Sequence, residues 1–495
     1  MQGPAGPPSV SAESRSAAEL TRACWVAPLV AGALFMENLD GTVITTAIPD
    51  MARAFGVAPV ELASGVSAYL LTLAVFIPIS GWVADRLGPR SVFATAIAIF
   101  TSASVLCGFS NSVLQFTAAR VLQGIGGAMM VPVGRLVVLR STPKSGLVRA
   151  IATLTWPGLV APILGPPVGG VITTWWSWRW IFFINVPLGL VALALTLAIV
   201  RGSSGEHRPF DALGFVLAGA GCSGLMYAVE EVGHVPIERA LVILGLGSAA
   251  MAWAIVHLRR TPHPLVDLSA VHIPTFKATL RGGSFSAIAV LSAPFLLPLL
   301  FQVGLALTPV ASGSLLLFLF AGNLAMKPST TWLMRRYGFR SVLVVNGVLV
   351  VAGFIACALL GAGTPHAVIA AVLFVSGLFR SMQFTAFSTL GFADVPPAQM
   401  SGASTLFSAV RQMNGGLGVA LGAVALETAQ AVRGHLGARL EVVDFRIAFV
   451  IVAAVAALAL LESWCLSDEA GVAVSGHDRA RRGGMEPRES RARRV

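Results

Sequence analysis

Apolar runs of about 20 residues recur from Trp25 to Leu466, and no other feature limits the fold of this chain so strongly. Each run is long enough to cross roughly 30 Å of hydrocarbon as a helix. Backbone amides in lipid must be satisfied within the segment, which leaves helices as the spanning element. Fourteen spans are expected, at 25–48, 61–83, 91–110, 112–139, 149–174, 178–200, 211–230, 238–257, 278–303, 308–330, 340–361, 365–390, 402–428 and 445–467. Composition agrees: 12% of the 495 residues are charged and mean hydropathy is +0.80, against about a quarter charged in an average soluble domain. The fold class is therefore an all-α polytopic membrane protein. The first span follows a polar stretch and carries two acids, so it reads poorly as a cleavable signal peptide.

A net charge of +11 would suit an anionic partner, but the position of the charges says otherwise. With both termini in the cytoplasm, the loops and tails on that side hold about 25 of the 34 Lys and Arg. The opposite side holds about six (Arg53, Arg179, Arg239, Arg433, Arg439 and Arg446), and Arg120, Arg380 and Arg411 lie within spans. That asymmetry is the positive-inside pattern and predicts cytoplasmic N- and C-termini. The bilayer accounts for the basic balance and no nucleic acid is required. The five cysteines fall in or beside spans without paired spacing, so they read as packing residues, with no disulfide or metal framework. The eight histidines lie in loops, tails or span ends, which argues against a histidine proton relay in the membrane.

Two short stretches repeat. "GWVADRLGPRSV" (81–92) and "TWLMRRYGFRSV" (331–342) share six of twelve positions at an offset of 250 residues. Both follow a span onto the cytoplasmic face, at equivalent points of two bundles. The expected organisation is a cytoplasmic tail (1–24), a six-helix bundle (25–200), two inserted helices (201–260), a second six-helix bundle (261–467) and a basic cytoplasmic tail (468–495). Duplicated parallel bundles are a transporter architecture, with substrate handled between them. The copies differ at one acid: Asp85 becomes Arg335.

Further stretches have physical readings of their own. In "GPPVGG" (165–170), Ala161, Gly165 and Gly169 recur at four-residue spacing, a face of small residues that admits a close helix. Pro162, Pro166 and Pro167 remove amide donors and favour a kink. In the 81–93 loop Gly88 permits a tight turn, and Asp85, Arg86 and Arg90 can form an ion-pair cluster; topogenic arginines are the alternative. Arg120 lies deep in its span, where an arginine should pair with an acid or line water; interfacial anchoring is the alternative. Glu37 and Asp40 stand three residues apart inside the first span, on nearly one helical face. If both face a wet cavity, a carboxylate there can hold either a proton or a cationic substrate, and that competition is a coupling mechanism. The alternative for either acid is an ion pair with Arg120 or another buried arginine.

Together "LDGTVITTAIP" (39–49), "GWVADRLGPRSVF" (81–93), "RVLQGIGGAMMVP" (120–132), "GPPVGG" and "WRWIFFINVPLG" (178–189) resemble, in order, the major facilitator superfamily and its fourteen-helix drug/proton antiporter branch. The resemblance implies that Asp40 is the coupling acid, with Glu37 as a second proton or substrate-charge site and Arg120 in proton transfer. It implies that Asp85, Arg86, Gly88 and Arg90 gate the cytoplasmic face, and that Gly165, Pro166, Gly169 and Gly170 form the antiporter motif, a packed face against leak. Gln302, Met382, Gln383, Phe384 and Phe387 are expected to line an apolar, adaptable cavity beside Glu37 and Asp40.

The expected function is secondary active export of amphipathic, cationic drugs or antibiotics in exchange for protons, by a monomer in a bacterial cytoplasmic membrane. Symport or uniport of a small metabolite is the alternative, and a membrane-embedded transferase is a third, which lacks a catalytic loop. No GxxxxGK[ST] loop occurs, so an ion gradient, proton or sodium, is the expected energy source and no cofactor is expected. The resemblance leaves open a periplasmic adaptor of the kind some relatives use.

Overall fold

The computed structural model describes residues 12–57, 59–143, 146–202, 209–230, 237–434 and 440–475. The basic tail from residue 476 lies outside them, as do residues 1–11. Among the described residues the chain is helical, with no strand. The helices are α1 (Ala12–Phe55), α2 (Ala63–Phe76), α3 (Ser80–Leu87), α4 (Pro89–Phe109), α5 (Val113–Ser141), α6 (Leu147–Thr155), α7 (Pro157–Trp175), α8 (Trp180–Phe183) and α9 (Asn185–Ile199). They continue as α10 (Ala212–Glu230), α11 (Ile237–Arg260), α12 (Pro274–Leu299), α13 (Pro309–Ala325), α14 (Lys327–Ala358), α15 (His366–Ala393), α16 (Met400–Val432), α17 (Val442–Trp464) and α18 (Val472–Ser475).

Ten stretches among the described residues are long and apolar enough to cross a membrane, and Ala212–Ala228 and Ala311–Ala325 are shorter apolar helices. The remaining expected spans, 25–48 and 149–174, fall on α1 and on α6 with α7. Helix α1 begins at Ala12, inside the stretch expected as a tail, because "AESRSAAELTRAC" is rich in helix formers and holds no Gly or Pro. Three spans break where proline removes an amide donor. A 3₁₀ turn around Pro78 separates α2 from α3, Pro157 opens α7, and Pro328 sits at the start of α14.

The internal repeat is visible in the backbone. Gly88 joins α3 to α4 at φ 81°, and Gly338 interrupts α14 at φ 75°. Both lie in the region that favours glycine. Arg90 donates to the carbonyl of Leu197 at the end of α9, and Arg340 donates to that of Trp464 at the end of α17 (3.2 Å), so each bundle closes the same turn the same way.

Helices α1–α9 pack as one bundle and α12–α17 as a second. On the face that carries the Gly88 and Gly338 turns, one continuous core joins them, running from Val30, Phe93 and Val138 to Phe339, Leu390 and Ala403. On the opposite face each bundle keeps a core of its own, around Val43, Phe116 and Phe182 in the first and around Leu297, Phe354 and Phe449 in the second. Helices α10 and α11 pack on each other, and α10 touches both α2 and α16. Asp211, just ahead of α10, ties this pair down by accepting from Gly214 N (2.8 Å) and Leu265 N (3.2 Å) and bonding His257 Nε2 (2.9 Å). Partial burial would push its carboxyl up, but the bonds from His257, Gly214 and Leu265 outweigh it and hold the group below the usual value.

Candidate functional site

Helix α1 packs on α5, α7 and α9 of the first bundle and carries both acids inward. Glu37 is 7% exposed and Asp40 3%. Asp40 is held on every side. Arg120 Nη1 from α5 donates to its Oδ2 at 2.6 Å, while Gln123 Nε2 (2.9 Å) and Asn185 Nδ2 (2.8 Å) donate to its Oδ1. Gln123 in turn accepts from Arg120 Nη1 (2.6 Å) and donates to Ser104 Oγ (2.8 Å), which donates to the Phe100 carbonyl (2.9 Å). Helices α1, α5 and α9 are thus tied at one carboxylate, and α4 joins the network through Ser104. The guanidinium of Arg120 is fully buried and stacks 4.3 Å from the Tyr69 ring centroid. A buried ion pair repays its desolvation only when its remaining polar atoms are also bonded, and this one comes close, with Arg120 Nε and Asn185 Oδ1 left over.

Glu37 sits one turn earlier on α1 and is not tied. Its Oε1, with the Tyr69 hydroxyl, faces the bare Cα of Gly127, and its Oε2 is buried without a hydrogen-bond partner. The charges within its electrostatic reach are Asp40 and, from the second bundle, Arg411.

The small-residue face on α7 meets α1. A Cβ at Gly165 would collide with Thr42 Oγ1, and one at Gly169 would collide with Thr46 Oγ1 and stand 2.9 Å from the Val43 carbonyl. Thr42 also donates to the Ala161 carbonyl at 3.2 Å. Pro166 lies in the same turn of α7. Gly170 faces open space, so close approach does not explain it.

In α3, Asp85 accepts from Arg140 of α5 at 3.2 Å, and Arg86 lies 5.2 Å from the Trp82 ring centroid. Arg90 reaches Leu197 instead. The continuous core on this face is reinforced by polar contacts between bundles: Ser80 Oγ with Thr405 Oγ1 (3.3 Å), Ser401 Oγ to the Gly81 carbonyl (3.2 Å), Ser404 Oγ to the Pro132 carbonyl (2.8 Å) and Arg135 Nη1 to Ser408 Oγ (3.0 Å).

A cavity of about 340 Å³ lies mostly among α12–α16 and reaches Thr155 and Gly158 of the first bundle. Phe384 and Phe387 line it; Gln302, Met382, Gln383, Glu37 and Asp40 do not. Gln383 is buried on a different side of α15, where its Oε1 accepts from Asn346 Nδ2 at 2.8 Å. Met382 packs in the core shared by the two bundles. Gln302 is exposed in a single π turn after α12, where Pro294 and Pro298 have already removed amide donors. Three cations that the sequence left without a role, Lys327, Arg380 and Arg411, line the cavity. Gln123 and Asn185 were also hidden, because a neutral amide in an apolar helix carries no signal until its partner is placed. Lys327 was hidden for another reason: it falls near the end of the expected span 308–330, where a lysine passes for one that reaches to the interface.

The sequence pattern of the Major Facilitator Superfamily matches residues 30–423. The chain belongs to the major facilitator superfamily. Curated relatives include the multidrug resistance protein MdtD of Citrobacter koseri, 35% identical over 408 residues that span 81% of this chain and 86% of the relative. The MdtD of Salmonella heidelberg is 36% identical over the same shares. Among solved major facilitator structures, the proton:xylose symporter XylE superposes with a TM-score of 0.61 at 13% identity, covering 94% of this chain and 99% of that one. This facilitator is accordingly a polytopic membrane transporter with multidrug resistance relatives, and not an enzyme.

Proposed function

We propose that this transporter exports amphipathic drugs or antibiotics across a bacterial cytoplasmic membrane in exchange for protons, as a monomer working by alternating access with no cofactor. The observation that carries the reading is the Asp40 knot. A buried carboxylate that ties α1, α5 and α9 through Arg120, Gln123 and Asn185 is released from its ion pair when it takes a proton, so proton and helix packing compete for one group. Glu37, one turn away and unbonded at Oε2, is the second proton site. The relatives named for multidrug resistance and the close α1–α7 face at Gly165 and Gly169, a barrier to leak, support exchange over symport. Asp85, Arg86, Gly88 and Arg90 act as the gate on the face where the bundles meet. With cytoplasmic termini that face is the cytoplasmic one, which makes this an outward-facing state. Neither acid lines this cavity, which therefore lends no support to a positive charge on the substrate.

The test is proton flux in liposomes loaded with a pH-sensitive dye, with amphipathic compounds of both charge signs added across an imposed pH gradient. Wild type should show substrate-dependent proton movement, and Asp40→Asn should abolish it while Glu37→Gln weakens it. Substrate movement without protons, or full coupling in Asp40→Asn, would remove the exchange mechanism.

A further inference from the structure

We propose that the cavity among α12–α16 selects an amphipathic organic anion, whose acidic head lies on Arg380, Lys327 and Arg411 and whose apolar body lies on Phe320, Phe384 and Phe387. This rests on the transport reading above and adds the charge of the transported species.

Arg380 is the anchor. It is 3% exposed, yet it lines the cavity, and its Nε and Nη2 are buried without any hydrogen-bond partner. The flat face of the guanidinium rests 4.6 Å from the Phe354 ring centroid, which leaves its donor edge for something else. Lys327 donates only to hydroxyls, Thr155 Oγ1 at 2.6 Å and Thr385 Oγ1 at 2.9 Å, and these do not neutralise an ammonium. Arg411 lies 5.0 Å from the Phe384 ring centroid and has open space around it. Among the described residues no carboxylate is in ion-pair range of any of the three. The acid within reach of Arg411 is Glu37, which faces Gly127 in the other bundle and does not line the cavity. Arg135, bonded to Ser408 and stacked on Phe407, adds a further cation beside Arg411.

A buried cation without a counter-ion, as Arg380 is, is costly at membrane depth and is kept where it pairs with something that comes and goes. A carboxylate, sulfonate or phosphate supplies the missing acceptors, and a guanidinium takes such groups on two parallel bonds. A cationic drug would instead meet like charge on three sides. The volume of about 340 Å³ and the aromatic walls suit a small-molecule body.

The experiment uses purified full-length protein in detergent and a matched fluorescent trio: pyrenebutyrate, pyrenebutylamine and the neutral methyl ester of pyrenebutyrate. These share an apolar body and differ in head charge. The acid should bind at least about tenfold more tightly than the amine, the gain expected of a charge-assisted pair. Arg380→Gln should erase that preference and shrink the acid's advantage over the ester, and Arg380→Lys should restore part of both. Lys327→Gln and Arg411→Gln should each narrow the preference and carry the comparison if Arg380→Gln does not fold. An amine that binds as tightly as the acid, or a preference untouched in all variants that fold, overturns the proposal. The same trio in the liposome assay separates the two readings. Anion-selective binding without proton flux leaves the anion site standing and removes exchange, whereas proton flux driven by the amine alone removes the anion site and leaves exchange.

Discussion

At the scale of single residues, the Asp40 knot makes a claim about stability that differs from its claim about transport. Removing Arg120 alone leaves Asp40 buried and bonded only to two amides. Breaking one partner of a buried pair typically costs about 3–5 kcal/mol, whereas replacing both by apolar side chains is often neutral. Arg120→Leu should therefore lower the thermal midpoint of the purified protein sharply, and Arg120→Leu with Asp40→Leu should regain most of the loss while remaining unable to couple. Equal destabilisation in the single and double variants would show that the pair itself holds the bundle together. The two ions of this knot were legible in the sequence because charge inside an apolar run is conspicuous. The two amides were not, since Gln123 and Asn185 differ from ordinary helix residues only in what they face. The cavity wall was legible at Phe384 and Phe387. It misled at Gln383 and Met382, where one helical face of α15 cannot be told from the next without its neighbours.

At the scale of elements, the contact between α1 and α7 depends on two glycines of three. A methyl at Gly169 must displace Thr46 and press on the Val43 carbonyl, and backbone cannot yield as a side chain can. Gly169→Ala should cost about 1–3 kcal/mol, the usual range for an overfilled contact, read as a lower midpoint in detergent. Gly170→Ala, with nothing near its Cβ, should stay within about 0.5 kcal/mol. The four-residue spacing of Ala161, Gly165 and Gly169 was enough to foresee a close face, because small residues at that interval have few other uses in a membrane helix. The breaks at Pro78, Pro157 and Pro328 were less legible, since the apolar runs pass straight through them. Near these breaks α3 packs on α16, and α6 packs on α14 and α15, which builds the shared face from helix ends.

At the scale of the whole molecule, the bundles share one core on one face and keep cores of their own on the other, which under the proposed alternating access is one end of the cycle. Cysteines at Ser80 and Thr405, whose hydroxyls stand 3.3 Å apart, should form a crosslink on mild oxidation that stops transport, and reduction should restore it. Full turnover by the crosslinked protein would mean that these ends never part. The duplication was readable from six shared positions in two loops, because Gly88 and Gly338 serve the same left-handed turn and Arg90 and Arg340 cap the same helix end. Which face is closed was not readable, as both states use the same residues. The α10–α11 pair adds a mechanical consequence, for α10 rests on α2 of one bundle and α16 of the other. Its seam with α16 is lined by Met226, Gln412 and Met413, with a long contact from Gln412 Nε2 to Met226 Sδ at 3.7 Å and small gaps on either side. Thioether side chains refill changing gaps at little cost. In the proposed cycle this seam is where α10 and α16 can shift against each other without opening a void.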